Sequence, residues 1–440
     1  MTRIDWPVVA TEALEVLRAY LRIDTSNPPG REAPAARYLG SLLEAEGIAC
    51  EYLETAPGRE ALIARVPGDG SRRALMLANH TDVVPVQREF WTVDPFGGDV
   101  RDGRITGRGA IDMKSVGVMQ LFAMILAKRL DLPLARDLVF VAVPDEETGS
   151  DLGMAWLVKH RPDLFDRQHI EFALNEGASG MADFGGAPAH LFEIAVTEKE
   201  MSPLRLRVVG TPGHGSKPPA DNPIVRLVRA LDRLTDWPRP LALTEGTRAY
   251  LARLHEAGIV EDLDDRDAIE RAVRASPDTE AAFTNTLNVT IVRAGTKNNV
   301  VPALAEAELD CRLLAGQDAE AWRREVEARI DDPRVEVSFI YDHEPNPAVS
   351  PWDTELARVI EAVLREAFED AAIVPATSIV GTDNRFLRPL GIPSYGFIPC
   401  LLSQAERDGF HANDEFLTVE NFNMGLEVMF EVVRRIAVRD

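Results

Sequence analysis

His80 and Asp82 stand two residues apart, directly after the apolar run Ala74-Leu75-Met76-Leu77-Ala78-Asn79. Two further apolar runs end in acids. Residues 138–143 lead into Pro144-Asp145-Glu146-Glu147-Thr148-Gly149, and residues 170–174 lead into Asn175-Glu176-Gly177. Asp112 adds another acidic position in the glycine-rich stretch Thr106-Gly107-Arg108-Gly109-Ala110-Ile111-Asp112-Met113-Lys114. Open α/β sheets place ligands just beyond the carboxyl ends of their strands, so ligand-type residues at three strand exits converge if those strands are neighbours. Clustered carboxylates repel and raise one another's pKa values. A divalent metal neutralises them, and mixed imidazole and carboxylate ligands point to zinc, with cobalt or manganese as substitutes. Asp82 could fix the His80 tautomer by accepting the ring N–H turned away from the metal. Of two adjacent glutamates, one can bind metal while its neighbour moves a proton.

Plainer readings stand beside these. His80 and Asp82 could merely close a turn, and an isolated Glu-Glu pair is ordinarily a solvated loop. The pair at 146–147 gains weight because it follows an apolar strand and has partners of matching type elsewhere. The Gly107-Arg108-Gly109 stretch lacks the lysine placement of a phosphate loop, and its helix opens only after Asp112.

The elements that must position these residues follow from periodicity. Residues 8–23 carry apolar side chains at helical spacing and stop at Thr25-Ser26-Asn27-Pro28-Pro29-Gly30. A second amphipathic helix covers about 33–46. Short, continuous apolar runs at 61–66, 74–78, 138–143 and 170–174 suit buried strands of a parallel-rich sheet, with a helical pattern at 116–130 among them. This alternation predicts an α/β sandwich. Near residue 200 the rhythm changes. Strands are expected at 204–209, 286–292, 305–313 and 335–340, with helices at 224–234 and 319–330 and a charged helical stretch at 247–276. Strand pairs with associated helices suggest an inserted α+β domain. After His343-Glu344-Pro345 the α/β style returns, with a helix at 354–368, a strand at 394–398 and a helix at 420–436. The expected division is 1–199 with 343–440 for the first domain and 200–342 for the insert, with hinge motion near 199 and 343.

Composition narrows the function classes. With 48 basic and 71 acidic side chains the net charge is −23, a field that repels phosphate backbones and anionic membranes, so neither nucleic acid nor membrane is an expected partner. Cys50, Cys311 and Cys400 lie far apart with no metal-knuckle spacing, which fits reduced thiols in a cytoplasm. The first thirty residues contain no uninterrupted apolar stretch of the secretory type, and a cytoplasmic location is expected.

Taken together the motifs resemble the M20 family of dinuclear zinc peptidases and aminoacylases. The resemblance is carried by His80-Thr81-Asp82-Val83-Val84-Pro85, Trp91 with Asp94-Pro95-Phe96, the Gly107–Lys114 stretch, Glu146-Glu147 and Asn175-Glu176-Gly177. It continues through Gly213-His214, Asn299-Val300-Val301-Pro302, Asp310 with Arg312, Gly381-Thr382-Asp383-Asn384-Arg385 and Gly409-Phe410-His411. These run in order from residue 80 to residue 411. The loop Thr382-Asp383-Asn384-Arg385-Phe386 is similar to the aminoacylase version, which points to the carboxypeptidase and aminoacylase branch.

The resemblance implies a mixed-sheet catalytic domain with an inserted, ferredoxin-like lid and dimerisation domain, and two zinc ions per chain. It implies that His80, Asp112 and Glu176 hold one ion, that Asp112, Glu147 and His411 hold the other, that Glu146 is the general base and that Asp82 orients His80. It further implies a homodimer in which His214 reaches the other subunit's site to stabilise an oxyanion. Asn299 and Arg312 would then bind the carboxylate side of the substrate, with Gly381, Thr382 and Arg385 as further contacts. The expected reaction is hydrolysis of N-acyl amino acids or of C-terminal residues of short peptides. A dipeptidase or desuccinylase of the same family is the near alternative, and a metal-free binding protein the alternative from another class. Asn79 and Ser115 stand where relatives commonly have glycine, and His160, His169, His190, His255 and His343 match no motif position.

Overall fold

The computed structural model describes residues 4–182, 190–274, 276–341, 348–369 and 371–439. His343 and the second expected hinge lie outside the described residues, as does the exact boundary at 342–343.

An eight-stranded mixed sheet forms the centre. Its order is Ala49–Ala56, Arg59–Val66, Leu138–Val143, Ala74–His80, Ile170–Met181, Ser394–Leu402, Leu191–Glu198 and Ala372–Ser378. The four strands from Leu138–Val143 to Ser394–Leu402 run parallel, so their carboxyl ends share one edge. Every residue of Leu138–Val143 and of Ala74–His80 is buried. Successive side chains of a strand face opposite ways, and here both ways lead into a core. Leu75, Leu77, Leu138 and Phe140 pack with the helices Trp6–Leu21, Lys114–Arg129 and Val419–Ala437, whereas Met76, Ala78, Val139 and Val141 pack with Met154, Leu157 and Phe165. Apolar surface on both faces explains why these strands read as continuous hydrophobic runs.

The helix Lys114–Arg129 is buried from Lys114 through Ala127. Asn79, at a position where a smaller residue is common in the similar family, fits because its Nδ2 donates to Gln120 Oε1 at 3.0 Å. Gly117 lies opposite, where an added Cβ would stand 3.2 Å from Asn79 Oδ1.

A second, antiparallel sheet is built from Thr286–Ala294, Leu304–Leu313, Leu204–Val209 and Val335–Phe339, in that order, with Glu200–Met201 pairing onto Leu304–Leu313. The strict alternation of buried and partly exposed residues along Leu304–Leu313 gives it one apolar face. That face meets Leu227, Ala230 and Leu234 of the helix Pro223–Thr235 and Trp322 and Val326 of the helix Ala319–Ile330. The other face is charged, with Arg293 on Glu308 at 2.7 Å.

Several elements depart from the expectations. The charged stretch 247–276 is not one helix but two, Glu245–Glu256 and Arg266–Val273, interrupted where Gly258 adopts φ +73°. Tyr250, Leu251, Leu254, Ile269 and Val273 pack on Ala372, Val374 and Ala376 of the edge strand rather than on the antiparallel sheet. The strand expected at 170–174 continues to Met181. The strands Ala49–Ala56, Leu191–Glu198 and Ala372–Ser378 were not expected. Pro375 within the last of these is a residue that argues against a central strand, and it is accommodated because this strand is an edge. Among the described residues no helix is long and apolar enough to cross a membrane.

Candidate active site

His80 closes the Ala74–His80 strand, Glu146 and Glu147 open a short turn just after Leu138–Val143, and Glu176 lies within Ile170–Met181. These three strands are neighbours, with Ala74–His80 in the middle, so parallel pairing alone delivers their ends to one place. Glu176 was expected beyond a strand and is instead inside one, because that strand is longer than its apolar run. Gly177 makes the position viable: it has φ +150°, and a Cβ there would stand 3.1 Å from both Gly396 Cα and Ala195 Cβ.

His80 Nε2 lies 3.1 Å from Asp112 Oδ1 and 3.3 Å from Glu176 Oε1. On the far side of Asp112, His411 Nε2 lies 3.1 Å from Oδ2 and 3.4 Å from Glu147 Oε2. One carboxylate thus offers one oxygen to each histidine. The ligand atoms of His80, Glu146 and Glu176 fall within 4.8 Å of one another, as do those of His80, Asp112 and Glu147. Glu146, expected as a base rather than a ligand, therefore sits within the same radius as the expected ligands.

Asp82 is fully buried. Its Oδ1 lies 3.5 Å from His80 Nδ1. The closer contact of that nitrogen is the Asp82 carbonyl oxygen, at 3.0 Å. The Asp82 carboxylate also accepts the backbone N–H groups of Glu146 and Glu147, each at 3.1 Å. It is a clamp on the glutamate turn as well as a neighbour of the imidazole.

The electrostatics describe a site with more anions than cations. Burial, and then the charge of Asp112, raise the Glu176 carboxyl to about 8. Burial and the charge of Glu176 hold Glu146 well above the usual carboxylate range, and burial with Asp112 raises Glu147. Burial opposes the charged form of His80, yet Glu176, Asp112 and Asp82 keep its ring well above the ordinary imidazole range. His411 is pushed up to about 10 by its hydrogen bonds to Asp112 and Glu147. Asp112, although buried, is held well below the usual range by His411 and His80. A multivalent cation would offset this buried excess of negative charge. Glu147 Oε1 is buried with no hydrogen-bond partner among the described residues, an orphaned acceptor of the sort a metal satisfies. The donor set of two imidazoles and several carboxylates fits zinc.

The supporting residues come from distant segments that sequence reading did not connect. Glu415 accepts from the N–H groups of Gly109, Ile111 and Asp112. Arg108 donates to the carbonyls of His411 and Ala412 at 3.2 and 2.9 Å. Asn384 Nδ2 donates to the Glu176 carbonyl at 3.1 Å. Only Glu415 lacks any sequence signal; Arg108 and Asn384 already lie in recognised motifs.

The remaining candidates are arranged as follows. His214 is exposed on a two-stranded ribbon pairing with Val300, and its Nδ1 accepts the Ser216 N–H at 3.1 Å. The Asn299 carbonyl accepts the Gly215 N–H at 2.8 Å, so Asn299 and His214 lie side by side on that ribbon. Among the described residues no hydrogen bond or ion pair joins either to the carboxylate cluster. Arg312 contacts Asp310 at 3.1 Å and donates to the Ile379 carbonyl at 3.0 Å, which links the second sheet to the segment leading into Gly381. Thr382 N–H donates to Glu198, which is paired with buried Arg388 at 2.7 Å. Arg385 donates to the Gly149 carbonyl at 3.0 Å, beside the glutamate turn. The seven residues 80, 82, 112, 146, 147, 176 and 411 are brought together, whereas the substrate candidates lie on other segments.

Comparison with known proteins points in a consistent direction. A family model described as peptidase family M20/M25/M40 matches residues 76–435. The N-fatty-acyl-amino acid synthase/hydrolase PM20D1 of Mus musculus is 29% identical over 381 residues, covering 83% of this chain and 75% of its own. Aminoacylase-1A of Rattus norvegicus is 27% identical over 434 residues, covering 97% and 95%. The M20 family metallo-carboxypeptidase Sso-CP2 of Sulfolobus solfataricus shares the fold with a TM-score of 0.71 at 19% identity, over 96% of this chain and 98% of its own.

Proposed function

The chain belongs to the M20/M25/M40 peptidase family and is a metal-dependent hydrolase, and from that premise we propose that it cleaves the amide bond of N-acyl amino acids, or the C-terminal residue of short peptides, with two zinc ions bound. The observation that carries the reading is the division of the Asp112 carboxylate between His80 and His411. In this reading His80, Asp112 and Glu176 hold one ion, and Asp112, Glu147 and His411 the other. The names borne by the aminoacylase and N-fatty-acyl-amino acid relatives favour N-acyl amino acids as substrates.

Bound divalent ions supply Lewis acidity to an attacking water and to the amide carbonyl. Glu146 takes a proton from that water at a carboxylate oxygen and delivers it to the departing amine nitrogen. Asp82 keeps the His80 ring in place and holds the glutamate turn by its backbone. Arg312 offers a planar fork to the substrate's free carboxylate, with Asn299 beside it and Gly381, Thr382 and Arg385 as further contacts. His214 of the partner subunit donates to the carbonyl oxygen as it gains charge. This requires a homodimer through the inserted domain at 200–342, set against a catalytic domain of 1–199 and 343–440. The working location in this reading is the cytoplasm.

Elemental analysis, paired with a panel of N-acyl amino acids and dipeptides assayed before and after chelation, tests the proposal. About two zinc ions per chain are expected, with hydrolysis of N-acyl amino acids lost on chelation and restored by zinc. Turnover confined to dipeptides with a free α-amine, with N-acyl amino acids and N-blocked peptides left intact, would overturn the substrate class, and absence of both metal and hydrolysis would overturn the whole reading. Replacing His214 by alanine should lower kcat by ~100-fold or more without loss of folding, as removal of an oxyanion donor does. Unchanged turnover in H214A would remove that residue from the mechanism.

A further inference from the structure

Asn27 lies in the segment Thr25–Gly30, whose sequence reads only as a helix stop. In the structure this segment is laid alongside the strand exit that carries His80 and Asp82. Thr25 Oγ1 donates to the Thr81 carbonyl at 2.7 Å, Val83 N–H to the Thr25 carbonyl at 3.2 Å, and Asn27 N–H to the Val83 carbonyl at 2.9 Å. The backbone is thereby fixed, and the Asn27 side chain, 3% exposed, is directed between two carboxylates. Its Nδ2 donates to Asp82 Oδ2 at 2.9 Å and to Asp145 Oδ1 at 3.1 Å, and lies 3.0 Å from Thr148 Oγ1.

Both carboxylates are buried, and both grip the turn that bears Glu146 and Glu147. Asp82 accepts the N–H groups of Glu146 and Glu147. Asp145 accepts the Thr148 hydroxyl at 2.7 Å and the Leu152 N–H at 2.8 Å. Arg59, itself paired with buried Glu32 at 2.6 Å, compensates the charge of Asp145 from the far side at 2.5 Å. Asp82 has no arginine or lysine partner among the described residues; the His80 ring, 3.5 Å from its Oδ1, is its cationic neighbour, on the side away from the Asn27 contact with Oδ2. Two buried like charges repel, and what stands between these two is the neutral amide of Asn27, a double donor with an N–H for each side. The amide is the part of the network that lets both acids approach the turn together.

We propose that Asn27 is a positioning residue for Glu146 and Glu147, acting through Asp82 and Asp145. A carboxamide is specified because a donor is needed and a further charge is not. Asn27→Asp keeps the shape and replaces the donor by a third carboxylate. Asn27→Ala removes the donor and leaves space in which a water can partly replace it. The aspartate variant should therefore be the more damaged of the two.

The kinetic part of the test rests on the amidase reading, whereas the exchange part needs neither metal nor substrate. Amide hydrogen exchange is measured on the full, metal-free chain of the wild type, N27A and N27D, following residues 144–152 and, as a reference, 138–143. The expected result is exchange at Glu146 and Glu147 faster by about tenfold or more, with the reference strand unchanged, since local opening is governed by local contacts. In turnover of an N-acyl amino acid, kcat should fall by ~10–100-fold, the usual cost of losing a supporting partner of a metal site, with KM held within about twofold. Wild-type exchange at 146–147 in both variants overturns the proposal, as does acceleration spread equally over the reference strand. If N27D does not fold, N27A decides by the same two criteria. Local acceleration in a chain without amidase activity upholds the positioning role and counts only against the proposed function.

Discussion

Arg108 and Glu415, 307 residues apart in sequence, meet in a buried ion pair at 2.7 Å. Through the additional hydrogen bonds of both side chains the pair joins the loop of Asp112 to the loop of His411. The side-chain contact between Asp112 and His411 is therefore backed by an ion pair that holds the backbone of both residues.

Replacing Arg108 by methionine leaves Glu415 buried with backbone donors only. Removing one member of a buried pair typically costs about 3–5 kcal/mol. Urea unfolding of the metal-free R108M chain should show a loss of that order. The variant should also retain less metal than the wild type, measured by elemental analysis after dialysis.

In the proposed reading, Glu146 and His411 separate proton transfer from metal binding. Glu146→Gln should leave metal content unchanged and lower kcat by ~10²–10⁴-fold. His411→Ala should lower the content by about one ion per chain if that residue completes one of two sites. Metal analysis and steady-state kinetics on the two variants should give this crossed pattern. Equal metal loss in both would reassign Glu146 as a ligand, which its place in the cluster with His80 and Glu176 makes a concrete outcome.

Arg312 is tested by a paired change. Arg312→Met should raise KM for a substrate with a free carboxylate by ~10–100-fold, in line with the ~1.5–3 kcal/mol of a hydrogen bond to a charged group. The wild type acting on the methyl ester of the same substrate should show a similar loss. The two defects should not add if Arg312 holds that carboxylate as proposed, because they would remove opposite ends of one contact.

Glu193 gives a pH dependence away from the active site. Its carboxylate accepts from Tyr250 Oη at 2.6 Å and so ties the helix Glu245–Glu256 to the sheet. Burial raises its pKa from 4.5 to about 7, with the Tyr250 hydrogen bond opposing. Between those values the folded chain keeps a proton that the unfolded chain has released, so stability falls as pH rises through that window. In E193Q the slope should be shallower. Urea midpoints from pH 4.5 to 7.5 for both proteins check the sign, and parallel profiles would exclude Glu193 as the source.

Much of the site was legible because its residues follow apolar strands. His80, Glu146 and Glu147 follow runs whose continuity marks them as buried, and neighbouring parallel strands then meet at one edge. Glu176 was legible as to place but not as to context, since Gly177 and the residues beyond it extend the strand past its apolar part. His411 has no strand before it and was reached by family resemblance. Asp145 was legible only as a neighbour of the glutamates, although it shares Asn27 with Asp82. Asn27 and Glu415 were silent, because their roles depend on partners brought close by the fold and not on any local pattern. The helices at 245–283 were misjudged for a similar reason: their apolar faces are clear in the sequence, but which sheet they cover is decided by the edge strand Ala372–Ser378.

The order of strands in the central sheet has a consequence for biosynthesis. Ser394–Leu402 lies between Ile170–Met181 and Leu191–Glu198, so a late segment fills a gap between two early ones. As the chain leaves the ribosome, its first two hundred residues carry most of the sheet but lack this strand, and the His411 loop emerges later still. Domains fold as units during synthesis, and this one cannot be finished until its carboxyl-terminal portion arrives. A nascent chain that has not yet reached these segments therefore lacks the assembled pocket, and hydrolytic capacity is withheld until the Ser394–Leu402 strand and the His411 loop have been made.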